Sequence, residues 1–336
     1  MKLDIIGDIH GHAQHLWSLV NHLGYSYSSE QGFHHPEQRR ILFLGDLVDR
    51  GPAISNVLNW VKKTVEAGNG FCIMGNHEFN MICWLTYHKE DKGGKGEMQM
   101  KPLREHNEKN AGQCQKTLES IDVLEWLPWF KTLPVFLEFE GLVAVHAAWH
   151  QGYVNQLKRH PHAVLHQYAG GAEGVCLKDE FYPLATNKKE FHCGIEYDMM
   201  ETLLKGYEEE LPNGQVVEDK DGNVRREFRL RWWLNRQEQE QARSILDIGL
   251  FPTQEDLPEN EFRTEDILKI FQSVDISEND SRLKFFGHYW MRGKPKPLNP
   301  TTACLDWSVA KNGKLCAYRW DGETRLDAGK FVWVKD

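Results

Sequence analysis

Residues 2–11 have the sequence KLDIIGDIHG, and residues 40–51 follow the same pattern as RILFLGDLVDRG. Each stretch is a short apolar run that stops at Gly-Asp, as a buried strand does where it enters a polar loop. Residues 71–76, FCIMGN, form a third run that stops at Gly-Asn. Between the runs, apolar residues recur at helical spacing and end at Gly24 and Gly68, which suit helix C-termini. This alternation predicts an α/β fold whose strands are mainly parallel.

The rest of the chain follows the pattern less regularly. We predict a helix at 107–120 and a hairpin with strands at 135–139 and 142–145. The other predicted elements are strands at 284–286, 302–305, 315–320 and 331–334, a helix after residue 264, a loop at 91–95 (DKGGK) and a turn at 219–223 (DKDGN). Between 152 and 282 the pattern weakens. We therefore expect one domain over residues 1–336, with an insertion or cap at 152–282.

The composition is that of an ordinary globular protein. The 336 residues include 49 acidic and 40 basic side chains, for a formal net charge of -9, and 40% are hydrophobic. This charge argues against a generic nucleic-acid-binding protein, because binding to a phosphate backbone depends on clustered Lys and Arg. No window reaches the roughly 18 apolar residues of a membrane helix, and the first residues lack the pattern of a signal peptide. With seven cysteines and no Cys-x-x-Cys pair, we expect a soluble, cytoplasmic protein with reduced thiols.

Asp, His and Asn concentrate in five short segments at predicted strand ends. These are 7–11 (GDIHG), 45–51 (GDLVDRG), 75–78 (GNHE), 145–147 (VHA) and 287–288 (GH). Ligands of open α/β sheets bind beyond the carboxyl ends of the strands, so we expect the five segments to converge there. Their carboxylate, amide and imidazole donors, without thiolates, suit Zn, Mn, Fe or Co.

In this order the five segments resemble the metallophosphoesterase (calcineurin-like) superfamily. The resemblance is to its phosphoprotein phosphatase branch, which includes bacterial diadenosine tetraphosphatases and serine/threonine protein phosphatases. It implies a fold of two packed mixed β-sheets flanked by helices, here with a long helical or irregular insertion. It also implies two divalent metal ions, with manganese expected first and Fe, Zn or Co as alternatives. The implied metal ligands are Asp8 and His10 on one ion, Asp46 as the bridge, and Asn76, His146 and His288 on the second ion.

The resemblance also implies a reaction. Two ions roughly 3.5–4 Å apart can clamp a phosphoryl group and lower the pKa of a bridging water, whose hydroxide attacks phosphorus in line. His77 would be the general acid and Asp49 would orient its imidazole, since both positions match the family motif. Arg50 offers a bidentate fork for phosphate oxygens, and Asn76 would also contact the substrate. Arg229 and Arg231 are candidates for a second phosphate-binding cation.

Other interpretations of these residues stay open. A single Asp or Asn after a strand is more often a turn or capping residue than a ligand, and only the ordered set favours metal. Glu78 is expected to do no more than favour the positive end of the helix that it begins.

The substrate also stays open. It could be a phosphorylated small molecule, a dinucleoside polyphosphate or a phosphoprotein. Met74 stands where protein phosphatases usually carry Arg, and residues 306–309 depart from the tetraphosphatase pattern. A non-catalytic protein that binds phosphorylated ligands and a nucleic-acid phosphodiesterase are the alternatives to an enzyme acting on phosphate monoesters or phosphoanhydrides. No membrane partner is expected.

Overall fold

The computed structural model describes residues 1–91, 98–186, 194–211, 216–218, 224–251, 264–274 and 280–335. The helices are α1 (Ala13–His22), α2 (Ile54–Glu66), α3 (Asn76–Leu85), α4 (Glu108–Ser120), α5 (Val123–Phe130), α6 (Gln151–Leu157), α7 (Phe181–Thr186), α8 (Ile195–Lys205), α9 (Arg236–Gln241), α10 (Ile245–Ile248) and α11 (Thr264–Ile270). Short 3-10 helices cover Phe271–Ser273, Val309–Lys311 and Ala328–Lys330.

The strands are β1 (Leu3–Ile6), β2 (Ser26–Ser28), β3 (Gly32–His34), β4 (Arg40–Phe43), β5 (Gly70–Cys72), β6 (Tyr87–Asp91), β7 (Met98–Pro102), β8 (Phe136–Glu138), β9 (Leu142–Val145), β10 (Ala163–Tyr168), β11 (Ala172–Leu177), β12 (Glu208–Glu210), β13 (Val217–Glu218), β14 (Val224–Arg225), β15 (Glu227–Leu230), β16 (Gly249–Leu250), β17 (Leu283–Phe286), β18 (Thr302–Cys304), β19 (Asp306–Trp307), β20 (Lys314–Trp320) and β21 (Phe331–Val334). Among the residues described, no helix combines the length and apolar character needed to cross a bilayer.

The first sheet has the strand order β19-β20-β1-β4-β5, with β21 also paired to β20. β1, β4 and β5 are parallel, as the three apolar runs predict, whereas β20 is antiparallel to β1. Their Gly-Asp and Gly-Asn loops consequently leave the sheet at the same edge.

The second sheet has the order β10-β11-β8-β9-β17-β18. β9, β17 and β18 are parallel to one another, so the loops after β9 and β17 also share an edge. Side chains from both sheets form one buried cluster, in which Phe71 packs edge to face on Phe139 and Phe285 packs on Tyr318. The two mixed sheets therefore stack face to face, which confirms the predicted fold class.

Helices cover the outer face of the first sheet. The buried residues of α1 include Leu16, Leu19 and Val20, which lie on one side at helical spacing. Those of α2 include Val57, Leu58 and Val61, and both helices contribute to a second buried cluster with Ile41 and Phe43 of β4. α1 and α2 thereby fix the positions of the loops at which they begin.

The stretch at 152–282, expected as an insertion, starts with core structure. β10 and β11 pair with each other and then with β8, so residues 163–177 extend the second sheet. The short hairpins β2-β3 and β6-β7 were not predicted from the sequence. Residues 92–95 of the predicted loop and the whole predicted turn at 219–223 lie outside the described residues.

Candidate functional site

The loops that follow β1 and β4 are joined by backbone hydrogen bonds. The amides of Ile9 and His10 donate to the carbonyl of Asp46 at 3.1 and 2.8 Å. In the second sheet, the amide of Gly287 donates to the carbonyl of His146 at 2.8 Å, which joins the ends of β9 and β17. The sequence segments expected to converge thus meet at one edge of the two sheets.

The backbone in these loops is unusual. Several residues other than glycine have φ in the left-handed region, namely His10, Asp46, Asp49, Arg50 and His288. Each such conformation costs roughly 1 kcal/mol or more, and such residues cluster at functional sites. Glycine is required where chains approach closely: a Cβ on Gly75 would lie 2.3 Å from the Asp46 carboxylate, and one on Gly287 would lie 1.9 Å from that of Asp8.

The histidines are oriented by backbone carbonyls. His10 Nδ1 donates to the carbonyl of Val48 at 2.9 Å, and His146 Nδ1 donates to that of Leu44 at 2.7 Å. Such bonds fix the ring and leave Nε2 to face the site, as in metal-binding histidines. Asn76 Oδ1 lies 3.0 Å from His146 Nε2 and 2.9 Å from His288 Nδ1.

These residues fit a pair of divalent cations. Within the described chain, Nε2 of His10 and Nε2 of His288 are buried without a hydrogen-bond partner, which is costly unless a ligand is bound there. Among the residues that the structure describes, two groups of three have potential ligand atoms within 4.8 Å of one another: His10, Asp46 and His77, and Asp46, His146 and His288. Asp46 belongs to both groups, so its carboxylate lies where a bridging ligand would be needed.

Two predicted residues have a different environment from the one expected. Asp8 is in neither of these groups, and its carboxylate accepts the backbone amide of His288 at 3.0 Å. His77, expected as a general acid, has its Nε2 3.8 Å from Asp46 Oδ2 and belongs to the first group.

Burial and charge shift the pKa values of the buried groups in opposite directions. Burial, and then the nearby charge of Asp306, raise the pKa of Asp8 well above its usual range. Burial acts the same way on Asp46, but the imidazoles of His146 and His77 hold its pKa well below the usual range. Burial acts to lower the pKa of His146, but the Asp46 carboxylate outweighs it and raises that pKa to about 10. Asp46 is therefore the anionic group of the cluster, and His146 is the imidazole whose charged form it favours.

His77, Asp49 and Arg50 lie together beside this cluster. His77 Nδ1 contacts Asp49 Oδ2 at 2.5 Å, which directs Nε2 towards Arg50 Nη2 at 3.4 Å. Helix α4 supports the arrangement, because Thr117 Oγ1 donates to Asp49 Oδ1 and accepts the Asp49 amide at 2.9 Å. Lys116 Nζ also donates to the Arg50 carbonyl at 2.5 Å. No motif in the sequence marks Thr117.

The two arginines predicted as a second cation lie in different surroundings. Arg229, in β15, is paired with Glu208 at 3.5 Å, and burial together with the Arg229 charge holds the pKa of His288 well below its usual range. Arg231 Nη1 donates to the carbonyl of Asp247 at 3.5 Å, and burial lowers its pKa. Arg229 is thus the one with an electrostatic effect on a predicted ligand.

Glu78 does more than favour the positive end of α3, because it also accepts hydrogen bonds from the loop that carries Asp46. Its side chain is fully buried, and its oxygens accept the amides of Gly75 at 3.0 Å, Asp46 at 2.9 Å, Leu47 at 2.8 Å and Val48 at 3.3 Å. It holds the loop that carries Asp46 against the start of α3. The bond from the Gly75 amide to Glu78 is one half of a capping box, and Gly75 has no side chain to form the other half.

Residues 1–188 match the calcineurin-like phosphoesterase family. The asymmetrical bis(5'-nucleosyl)-tetraphosphatase PrpE of Halalkalibacterium halodurans is 40% identical over 77 residues, which are 23% of this chain and 31% of that protein. The PrpE of Bacillus thuringiensis subsp. konkukian is 54% identical over 52 residues, which are 16% of this chain and 21% of that protein. The chain thus matches less than a third of the length of these relatives.

A solved structure of a protein serine/threonine phosphatase from Saccharomyces cerevisiae aligns with 99% of this chain and 79% of its own, at 14% identity and a TM-score of 0.41. The family match extends over more than half of the chain. It includes the predicted ligands Asp8, His10, Asp46, Asn76 and His146, while His288 follows it. On this match, the chain belongs to the calcineurin-like phosphoesterase family.

Proposed function

We propose that this protein is a hydrolase of phosphate monoesters or phosphoanhydrides that uses two divalent metal ions. The observation that carries the proposal is the shared position of Asp46 in two adjoining groups of buried ligand atoms. We propose Asp8, His10, Asp46, Asn76, His146 and His288 as the metal ligands. Manganese is proposed first and Fe, Zn or Co as alternatives, because the donors are oxygen and imidazole nitrogen.

Bound divalent cations would polarise the phosphoryl oxygens and lower the pKa of a bound water towards neutrality. The residues of the chain have separate tasks. His77, held through Nδ1 by Asp49, can donate the Nε2 proton to the leaving oxygen. Arg50 can bind two phosphate oxygens with its planar fork, and Asn76 can hold a third through its amide. Arg229 is the candidate for further positive charge, with Arg231 as the alternative.

A phosphoanhydride of the dinucleoside polyphosphate class is the first proposed substrate. The support is the name of the relatives. The proteins that match part of this chain are named bis(5'-nucleosyl)-tetraphosphatases. Other phosphorylated small molecules and phosphoproteins are the alternatives.

We also propose one domain over residues 1–336, with an insertion or cap at 152–282 whose strands β10 and β11 extend the second sheet. The proposed compartment is the cytoplasm. Its support is the state of the cysteines: the six in the described residues, all but Cys193, are buried free thiols.

The test is product analysis on protein stripped of metal and then loaded with Mn²⁺. Diadenosine tetraphosphate, a phosphopeptide and an aryl phosphate are compared by chromatography. We expect Asp46→Asn to abolish hydrolysis and His77→Asn to lower kcat by about 10²–10⁴-fold, the usual contribution of general acid catalysis. His22→Asn is the matched control, since that histidine is exposed at the end of α1. Undiminished hydrolysis by the Asp46 variant would overturn the proposal.

A further inference from the structure

A second concave site lies next to the candidate metal centre. It has a volume of about 340 Å³ and is lined by Trp290, Trp307 and three cationic residues, Arg292, Lys311 and Lys314. No Asp or Glu is among the lining residues within the described chain. The volume lies at the lower end of the range for small-molecule sites. We call it the Trp290 pocket.

Trp290 links the pocket to Arg50, one of the proposed phosphate-binding residues. The Arg50 guanidinium stacks on the Trp290 ring at 4.3 Å from its centroid, and Lys311 Nζ lies 3.7 Å from the same centroid. Arg50 Nη2 in turn lies 3.4 Å from His77 Nε2. The Trp290 indole thus contacts two cations. One is Arg50, beside the proposed general acid His77, and the other is Lys311, in the wall of the pocket.

The walls of the pocket are built rigidly. The fully buried carboxylate of Asp306 accepts the amide of Trp290 at 2.7 Å and that of Ser308 at 2.9 Å. Ser308 Oγ donates to the Met291 carbonyl at 3.1 Å, which ties the two loops directly. Lys314 Nζ donates to the Gly293 carbonyl at 2.5 Å and has further donors for a ligand. The backbone of the two loops that form the pocket is therefore held in place before a ligand binds.

We propose that the Trp290 pocket binds the anionic phosphate chain of the leaving group. This deepens the proposed function and rests on it. A substrate with its reacting phosphorus at Arg50 would extend its remaining phosphates along Trp290 towards Lys311 and Arg292. A phosphate chain fits better than an acidic peptide segment, because the pocket is small and concave and the charged residues that line it are all cationic.

The first experiment measures binding without hydrolysis. Inorganic tripolyphosphate is titrated calorimetrically into the full chain in EDTA, so that no metal takes part. We expect Lys311→Ala and Arg292→Ala each to weaken binding about tenfold, the order of one lost charge-assisted contact, and Lys311→Arg to restore it. Lys62→Ala is the matched control, because Lys62 Nζ also lies over a tryptophan, Trp126, at 5.2 Å from the ring centroid.

The second experiment measures selectivity in the Mn²⁺-loaded protein. The ratio of kcat/KM for diadenosine tetraphosphate to that for an aryl phosphate should fall about tenfold in Lys311→Ala and should stay constant in Lys62→Ala. Unchanged affinity and an unchanged ratio would overturn the proposal while leaving hydrolysis intact.

Two other outcomes separate the proposals. Weakened tripolyphosphate binding in the variants, with no hydrolysis under any metal, would support the pocket and overturn the proposed function. Weakened binding of an acidic phosphopeptide, with tripolyphosphate unaffected, would overturn the phosphate-chain assignment in favour of a peptide.

Discussion

Asp46 shows how much one carboxylate can organise. Its oxygens lie 3.3 Å from His146 Nε2, 3.5 Å from His10 Nε2 and 3.8 Å from His77 Nε2. The loop that carries it depends on Glu78, which accepts the amides of Asp46, Leu47 and Val48. Loss of Glu78 should therefore affect both folding and the metal centre.

We expect Glu78→Ala to lower the free energy of unfolding by about 3 kcal/mol, because it leaves buried amides without an acceptor. Metal affinity should fall about 10- to 100-fold, as for other residues that hold ligands in place. Urea unfolding and metal titration measure the two effects. Glu66→Ala, at the exposed end of α2, is the control, and equal unfolding free energies for the two variants would contradict the prediction.

At the scale of the element, α4 supports His77, the proposed general acid, because Thr117 hydrogen-bonds to Asp49. Thr117→Val should lower kcat about tenfold with little change in KM, because Asp49 loses a hydrogen-bond donor while Arg50 stays in place. Thr117→Ser should restore kcat, a rescue that a purely structural defect would not show. Ser120→Ala, on the exposed side of the same helix, is the control. A parallel rise in KM would point to a phosphate-binding defect instead.

The turn after β20 gives a pH-dependent prediction. Burial acts to raise the pKa of Asp321, but Lys330 and Arg39 outweigh it and lower that pKa to about 2. A carboxylate whose folded pKa is below its unfolded value of about 3.9 stabilises the fold above that pH and loses its effect as pH falls towards 2. The stability difference between the wild type and Asp321→Asn should therefore shrink between about pH 4 and pH 2. Urea unfolding across this range measures it, and a constant difference would contradict the prediction.

The elements also show what sequence alone can establish. β1 and β4 were predicted to within a residue, because their apolar runs stop sharply at Gly-Asp. β10 and β11 were assigned to the insertion, since β10 sits at a sheet edge where His166 and Gln167 are exposed and its apolar pattern is weak. β2 and β3 have three residues each, too few for a periodic signal.

The same limit applies within the candidate site. Short motifs beside glycines mark Asp8, Asp46 and His77 without any knowledge of the fold. Thr117 carries no such mark, because its role depends on contact with Asp49, 68 positions away. The Trp290 pocket likewise depends on Arg50 meeting Trp290, which only the folded chain brings about.

For the whole molecule, the two sheets are linked at the candidate metal centre, so bound metal should stabilise the entire domain. A ligand that binds only the folded state at 100 times its Kd adds about 2.7 kcal/mol. We expect Mn²⁺ to raise the thermal midpoint of stripped protein and EDTA to reverse the rise. His288→Ala should reduce the shift and His22→Ala should not. An equal shift in all three proteins would place the metal elsewhere.

The position of β1 has a consequence for how the protein is made. Leu3 pairs with Arg40 on one side and with Trp320 on the other, so one neighbour of β1 is synthesised more than 300 residues later. At a translation rate of about 5–20 residues per second, that neighbour emerges on the order of 15–60 s after β1. An incomplete sheet edge is a template for pairing with other chains. The side of β1 that pairs with β20 therefore stays unpaired until residues 317–320 have been synthesised.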